Sequence, residues 1–382
     1  MRKSGIATLK LHPGTAPHWL LHRMKKLADQ IFKVLYDEFG AEDILKRLSN
    51  PIWFQCLSNT LAFDWDSSGV TTVLTGVLKS VLKEDHGILV AGGKGKRSIN
   101  TPNDINEIGK KFDFSEDTIN ELKYSSRMTA KIDNAVIQDS YNLYHHAIFI
   151  SESGEWTVVQ QGLNATNKTS RRYHWHSDGV KNFIDDYPNE IMCDIKQKRV
   201  LNMTSSKANE SRKTCVDLSK ESSTRIKRLF QSITSYTKTS ILDYINPTEK
   251  QVKHPQKVLI LHYELLPKRM NWDALNEAYE FQPRNYEELI RIRGIGPATI
   301  RGLALISELI YGNYNDWKDP VKYSYCLGGK DGVPYPVPLQ RYDRTIQILK
   351  EAVENAKLGD KEKIEAIKRL KKFAYKMNLE LQ

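Results

Sequence analysis

Apolar residues along the N-terminal part of the chain return at helical spacing. Leu20, Leu21, Met24, Leu27, Ala28, Ile31, Val34 and Leu35 fall on one stripe with a 3.6-residue period, which predicts an amphipathic helix from Ala16 to about Phe39, capped by Thr15. The run Ile6 to Leu11 ahead of it reads as a strand. Pro51 to Phe63 and about Gly69 to Lys83 read as two further helices, and Ile88 to Val90 as a short strand running into glycines. The stretch SSRMTAKIDNAVIQDSYNLYHH, Ser125 to His146, reads as a helix with Met128, Ile132, Ala135 and Val136 on its buried side. On another side of that helix Arg127, Lys131, Asn134 and Gln138 form a polar stripe. YHHAIFI and EWTVVQQG then read as two strands joined by a turn at Ser153 and Gly154. Asp343 to Ala356 and Lys361 to Met377 are the last helices, expected to pack on a C-terminal helical domain.

These elements predict an α+β fold. Residues 1–200 are expected to form a mixed helical domain with a small antiparallel sheet. Residues 201–255, rich in Ser, Thr and Lys, read as a linker or mobile arm able to hold one or two basic helices. Residues 256–382 read as an α-helical domain. With 382 residues and 40% hydrophobic content the chain can bury two or three cores, and 27% charged residues suit a globular protein. A net charge of +11, with a pI near 9.2, favours a polyanionic partner. Cys56, Cys193, Cys215 and Cys326 stand far apart with no CxxC pair, as expected of reduced thiols in a cytoplasmic protein rather than of a disulfide framework or a zinc ribbon. The opening MRKSGIATLKLHPG has no signal-peptide core, and no segment approaches a membrane span.

The most informative chemistry is LIRIRGIGPATIRGLALISEL, Leu289 to Leu309. A short apolar helix meets a Gly-Ile-Gly turn and a second apolar helix opened by Pro297, which is the helix-hairpin-helix pattern. Amides at such a turn and the positive end of the second helix suit a phosphate, with arginines adding charge along a backbone. The expected contacts are Arg293, Gly294, Ile295, Gly296, Thr299 and Arg301, none of which would read sequence. An ordinary αα-hairpin would bury the same isoleucines and leucines. AGGKGKRS supplies Lys94 and Lys96 in a glycine-rich segment, expected as a flexible cationic loop. It is not a Walker loop, because Arg97 stands where a hydroxyl is required. Arg171 and Arg172, beside Tyr173 and Trp175, suit stacking and phosphate contact on an unpaired nucleotide.

For catalysis the candidates are Lys131, Asp133, Asp139 and His145. A half-buried amine can lose enough basicity to act as nucleophile or base, so Lys131 leads the set, against the alternative that its polar stripe is a hydrogen-bonded interdomain face. Strand alternation keeps His145 and His146 from facing one ligand, and either could be catalytic. His174 and His176 share a side if extended, a spacing that permits two metal ligands and names no third.

GIATLKLHPGTAPHWL, FDWDSSGVTT, AGGKGK, SRMTAKIDNAVIQD, YHH, VVQQG, RRYHW, GIGPATIRGLALISELIYG and GGKDGVPYPV together resemble the archaeal and bacterial family catalogued as domain of unknown function 763, over nearly the full length. That resemblance carries no activity and no catalytic residues with it. The hairpin also resembles that of DNA glycosylases, whose lyase-competent members place a lysine two positions after the second hairpin glycine and an aspartate further on. Here the lysine position is Ala298, and the aspartate would fall on Asp316 or Asp319, or later on Asp331. A Schiff base would need Lys131 or Lys330 instead. Three functions follow as expectations: a base-excision type of DNA-processing enzyme, a metal-dependent nuclease using Asp133, Asp139, His145 and Glu155, or a non-catalytic clamp. The expected partner is a nucleic acid, DNA before RNA. No cofactor is implied beyond an optional divalent metal.

Overall fold

The computed structural model describes residues 16–63, 68–178, 180–185, 190–193, 196–245, 265–321, 339–357 and 359–380. The strand expected at Ile6–Leu11, the Thr15 cap, Cys326, Lys330 and Asp331 lie outside them. The helices α1 (His18–Ser49), α2 (Pro51–Thr60) and α3 (Gly69–Val81) lead to strand β1 (Ile88–Lys94). Gly40, at φ 77° and ψ 172°, breaks α1 shortly after the expected end of its stripe. After β1 come α4 (Lys96–Ile99), α5 (Thr101–Lys111) and α6 (Glu116–Lys131). Strands β2 (Ile137–Gln138), β3 (Asn142–Ser151), β4 (Trp156–Asn164), β5 (Thr169–His176), β6 (Glu190–Met192) and β7 (Leu201–Asn202) follow. The remaining elements are helical: α7 (Asn209–Ser219), α8 (Ser223–Ile245), α9 (Trp272–Phe281), α10 (Tyr286–Arg291), α11 (Pro297–Tyr311), α12 (Leu339–Asn355) and α13 (Asp360–Glu380).

The fold is α+β. Its main sheet runs β1-β3-β4-β5-β6 with every pairing antiparallel, and β2 pairs with β7 in a small second sheet. Successive strand residues enter two different cores. Ile88, Val90, Ala147, Phe149 and Val159 join α1, α2, α3, α12 and α13, while Leu89, Ala91, Ile148, Ile150, Val158, Tyr173 and Trp175 join α5 to α11. Helices therefore cover both faces. Antiparallel sheets commonly leave one face to water, and covering both explains why β3 and β4 are almost continuously buried.

Three expectations change. The helix expected through His146 ends at Lys131 and unwinds through a π-turn, Ile132–Val136, into β2 and β3. Tertiary pairing overrides the helical period there, and π-turns recur at functional sites. The Gly-Gly-Lys segment is no loose loop: Gly92, Gly93 and Lys94 continue β1 opposite Ala147, His146 and His145. A Cβ on Gly92 would lie 2.3 Å from the His146 carbonyl oxygen, so glycine is what lets the two backbones close. Finally, α12 and α13 pack on α1 and α2 rather than on the C-terminal helices, with Leu349, Val353 and Leu370 as their anchors.

Residues 201–245 carry β7, a 3-10 turn, α7 and α8, and bury Cys215, Val216, Leu218 and Ile226 in the core shared with α11. No described helix is long and apolar enough to cross a membrane.

Candidate nucleic-acid interface and adjoining cleft

The turn between α10 and α11 is set by its isoleucines. Ile292 and Ile295 point into the core, and this turns Arg293 and Gly294 outward. Asn285 starts α10 by accepting from the Glu288 amide at 2.8 Å. Gly294 is glycine for two reasons: its φ is +87°, and a Cβ would sit 2.7 Å from Asn271 Nδ2 and 3.0 Å from Ala274 Cβ. Asn271 also donates to the Gly294 carbonyl at 3.2 Å, holding the bend against α9. Gly296 is the N-cap of α11 and offers no side-chain cap, and Pro297 is the first helical residue. The amides of Ala298 and Thr299 consequently meet no acceptor among the described residues.

Two residues of the expected polar stripe, Lys131 at the end of α6 and Gln138 in β2, lie against this turn. Lys131 Nζ donates to the Ile292 carbonyl at 3.3 Å, and Gln138 Nε2 donates to the Pro297 carbonyl at 2.8 Å. Arg301 Nε in turn donates to Gln138 Oε1 at 2.6 Å. Burial and the neighbouring Arg127 push the Lys131 ammonium below its ordinary pKa, and burial does the same to Arg301. Among the described residues no carboxylate pairs with Arg127, Lys131, Arg293 or Arg301. The turn thus joins the accessible, unpartnered Ala298 amide to the exposed Arg293, with Lys131 bonded to its Ile292 carbonyl and Arg301 one turn into α11.

Not every residue expected at this surface is available. Ile295 is wholly buried and its amide is spent on the Ile292 carbonyl at 3.3 Å. Thr299 is also buried, and its hydroxyl accepts from the Asn271 amide at 3.1 Å. Arg171 and Arg172 require the larger correction, since both are fully buried on opposite faces of β5. Arg171 binds Asp319 through two nitrogens at 3.0 and 2.7 Å and Asp139 at 2.8 Å, and Tyr173 Oη donates to the same Asp139 oxygen at 2.6 Å. Burial raises the Asp139 pKa, with Arg171 opposing it. Arg172 reaches Gln55 Oε1 at 3.2 Å and stacks over Phe54. A sheet covered on both sides leaves such side chains no path to a ligand, so they staple strands and helices together.

The acidic and histidine candidates are likewise separated. Asp133 accepts from Trp175 Nε1 at 2.7 Å and Gln160 Nε2 at 2.6 Å. His145 faces α3, where its Nε2 meets Thr75 Oγ1 at 3.0 Å, and burial lowers its pKa to about 3. His174 bonds the Leu48 carbonyl at 3.0 Å and packs edge-on to Phe54, while His176 Nδ1 meets Thr157 Oγ1 at 3.1 Å. Asp316 accepts from Ser205 at 2.6 Å, and Asp319 belongs to the Arg171 cluster. Asp133, Asp139, His145 and Glu155 do not converge, and among the described residues no three His, Cys, Asp or Glu side chains are placed to hold a metal ion.

What does converge is a cleft of about 330 Å³ between α6 and the segment opening α5, floored by β3. Its walls include Ile99, Lys123, Ser126, Arg127, Tyr144 and His146, with no carboxylate among its lining residues. Lys94 and Lys96 are exposed beside it, where the Gly95 amide donates to the Tyr144 carbonyl at 2.8 Å. Ser126 Oγ lies 2.8 Å from His146 Nε2, and His146 Nδ1 lies 2.8 Å from Gln160 Oε1. Because Gln160 must donate its amide to Asp133, its Oε1 accepts from His146 Nδ1–H. The His146 Nε2 lone pair is therefore aimed at the Ser126 hydroxyl. Both histidines singled out from the sequence line this cleft, His145 bonding Thr75 and His146 bonding Ser126; the partner Ser126 gave no signal, because a lone helical serine has none.

Residues 5–337 match the family model described as Protein of unknown function (DUF763), and the chain belongs to that family. No curated protein and no solved structure matches it.

Proposed function

We propose that this DUF763 member grips a nucleic-acid backbone at the turn between α10 and α11, in the service of DNA processing. The carrying observation is the accessible, unpartnered Ala298 amide at the start of α11, together with four cations on the turn, α11 and the facing segment, Arg127, Lys131, Arg293 and Arg301, that no described carboxylate pairs with. A phosphate oxygen there would accept the Ala298 N–H at the positive end of a fifteen-residue helix, and its charge would offset the local repulsion between Arg127 and Lys131. The overall charge of +11 favours the encounter. Such contacts position a strand and leave base identity unread.

Lys131 favours a base-excision reading of the same site. Its half-buried amine is less basic than a free lysine, as a Schiff-base nucleophile requires, and it touches the turn that would hold the strand. Lys94 and Lys96 extend the cationic surface past the cleft.

The test is fluorescence anisotropy with duplex, single-stranded and abasic DNA and with RNA, each titrated with salt, followed by borohydride trapping on abasic and damaged-base strands. Binding that weakens with a log–log salt slope of about −3 to −4, as four neutralised phosphates require, supports the reading. Retention of no polymer at low salt overturns it. A trapped adduct lost in Lys131→Met supports the base-excision form, and no trap on any lesion removes that form.

A further inference from the structure

The cleft beside the proposed interface holds a buried hydrogen-bond chain that nothing so far puts to use. Ser126 Oγ, His146, Gln160 and Asp133 follow one another at 2.8, 2.8 and 2.6 Å. Each link has a fixed direction. Trp175 Nε1 and Gln160 Nε2 both donate to Asp133 Oδ2, which fixes the Gln160 amide, and Gln160 Oε1 then fixes His146 as the Nδ1–H tautomer. The bare Nε2 is left for the serine hydroxyl, which is the arrangement of a nucleophile, a base and a group that orients the base. The orienting group here is a neutral amide backed by a carboxylate.

The surroundings point to the substrate class. The cleft's volume of about 330 Å³ is at the small end of ligand pockets and admits one nucleotide unit rather than a duplex. Its lining contains Lys123 and Arg127 and no acid, so the bound group is anionic. Ile99, 79% exposed at the rim, offers an apolar surface to an unstacked base. Arg127 both lines this cleft and stands one helical turn from Lys131, which bonds the Ile292 carbonyl, so the cleft and the 292–296 turn are joined through α6.

We propose that Ser126 is a nucleophile and His146 its general base, acting on a phosphodiester of an extruded or single-stranded nucleotide in this cleft. The choice of a polynucleotide rests on the function proposed above; the serine–histidine pair does not. Ser126 Oγ forms a bond to phosphorus while its proton passes to His146 Nε2. The bond from phosphorus to the leaving sugar oxygen breaks on the opposite side, where that oxygen takes a proton from water, while the imidazolium returns its own proton to solvent. A water, deprotonated by His146, then attacks the phosphoserine and releases Ser126 with its proton restored. Gln160 Oε1 steadies the imidazolium in between, and Lys123 and Arg127 face the charge that builds on the phosphoryl oxygens. Burial keeps His146 neutral near pH 7, so the base is ready without a proton leaving first.

The probe is a tagged alkyl fluorophosphonate, a small phosphorus electrophile that needs no strand binding, applied to the full chain and mapped by peptide mass spectrometry. A single adduct on Ser126, absent from the denatured chain, is the expected result, with the neighbouring Ser125 unlabelled. His146→Gln is expected to slow labelling by about 100-fold or more, the usual contribution of a general base. Labelling should hold steady through neutral pH and fall only below the ordinary histidine range of ~6.5. No adduct on the native chain, an adduct elsewhere, or a rate unchanged in a folded His146→Gln protein overturns the proposal. The wild-type map decides the matter even where a variant fails to fold. Gly296→Glu separates the two readings: it should keep the Ser126 adduct while losing oligonucleotide. Labelling in a wild-type protein that retains no polymer supports the pair and overturns the nucleic-acid reading.

Discussion

Gly296→Glu is the sharpest perturbation of the proposed interface, because the structure separates its effect on binding from its effect on folding. Gly296 has φ −114° and ψ −173°, extended backbone open to any residue, and the nearest atom to an added Cβ is the Gly294 carbonyl oxygen at 4.0 Å. The stability change should therefore stay within about 0.5 kcal/mol, as for surface substitutions. Binding should respond far more. A carboxylate at the N-cap can accept the Ala298 amide itself and repels a phosphate from the same place. One hydrogen bond to a charged group is worth about 1.5 to 3 kcal/mol, so its loss weakens binding by about 10-fold to 100-fold, before the added repulsion. Gly296→Ala keeps the amide free and should bind as wild type. Gly294→Glu is no substitute, since φ +87° and the Asn271 and Ala274 contacts would damage the turn itself. Anisotropy at fixed low salt measures the affinities, with urea unfolding as the control. A folded Gly296→Glu protein with wild-type affinity would refute the role assigned to the turn.

Arg171→Met strands two buried carboxylates, Asp139 and Asp319, and should cost about 3 to 5 kcal/mol in urea unfolding; a triple variant that adds Asp139→Asn and Asp319→Asn should recover much of it. A change below about 1 kcal/mol would mean the cluster is open to water. Acid stability should carry the mark of His145, held neutral in the fold with a pKa lowered to about 3. The unfolded chain binds the proton from pH ~6.5 downward and the folded chain does not, so stability falls with pH by about 1.4 kcal/mol per unit from this residue until pH ~3. His145→Gln should flatten that limb of a stability–pH curve, and an unchanged slope would show that His145 is protonated in the fold. Gly92→Ala drives a methyl into the His146 carbonyl and should destabilise by about 1 to 3 kcal/mol, read by denaturation, unless β1 parts from β3 more easily than the pairing implies.

The helices with strong stripes were legible from residue order alone. α1 as far as Phe39, α2, α3 and the pair α10–α11 lie where apolar spacing and the glycine turn put them, because a local period is a local property, while the continuation of α1 past Gly40 to Ser49 was not read. The α+β class and the family membership were legible too. The stretch from Ser125 to His146 was not, since its residues satisfy a helical period equally well as far as Val136. The strand was legible from Tyr144 onward in YHHAIFI, and pairing with β4 carries it back to Asn142. Arg171 and Arg172 looked like surface cations because arginine is rarely buried without partners, and their partners, Asp139, Asp319, Gln55 and Phe54, come from distant parts of the chain.

Sequence by itself therefore determined the helical elements, the basic charge and the exposed glycine turn, all of which depend on neighbours within a few residues. Tertiary structure decided which charges are free and which are consumed, because that depends on whether helices cover both faces of the sheet. It also decided that His146, rather than His145, meets a serine at a cleft: strand alternation guarantees that the two differ, and only the packing of α3 on one face and α6 on the other says how.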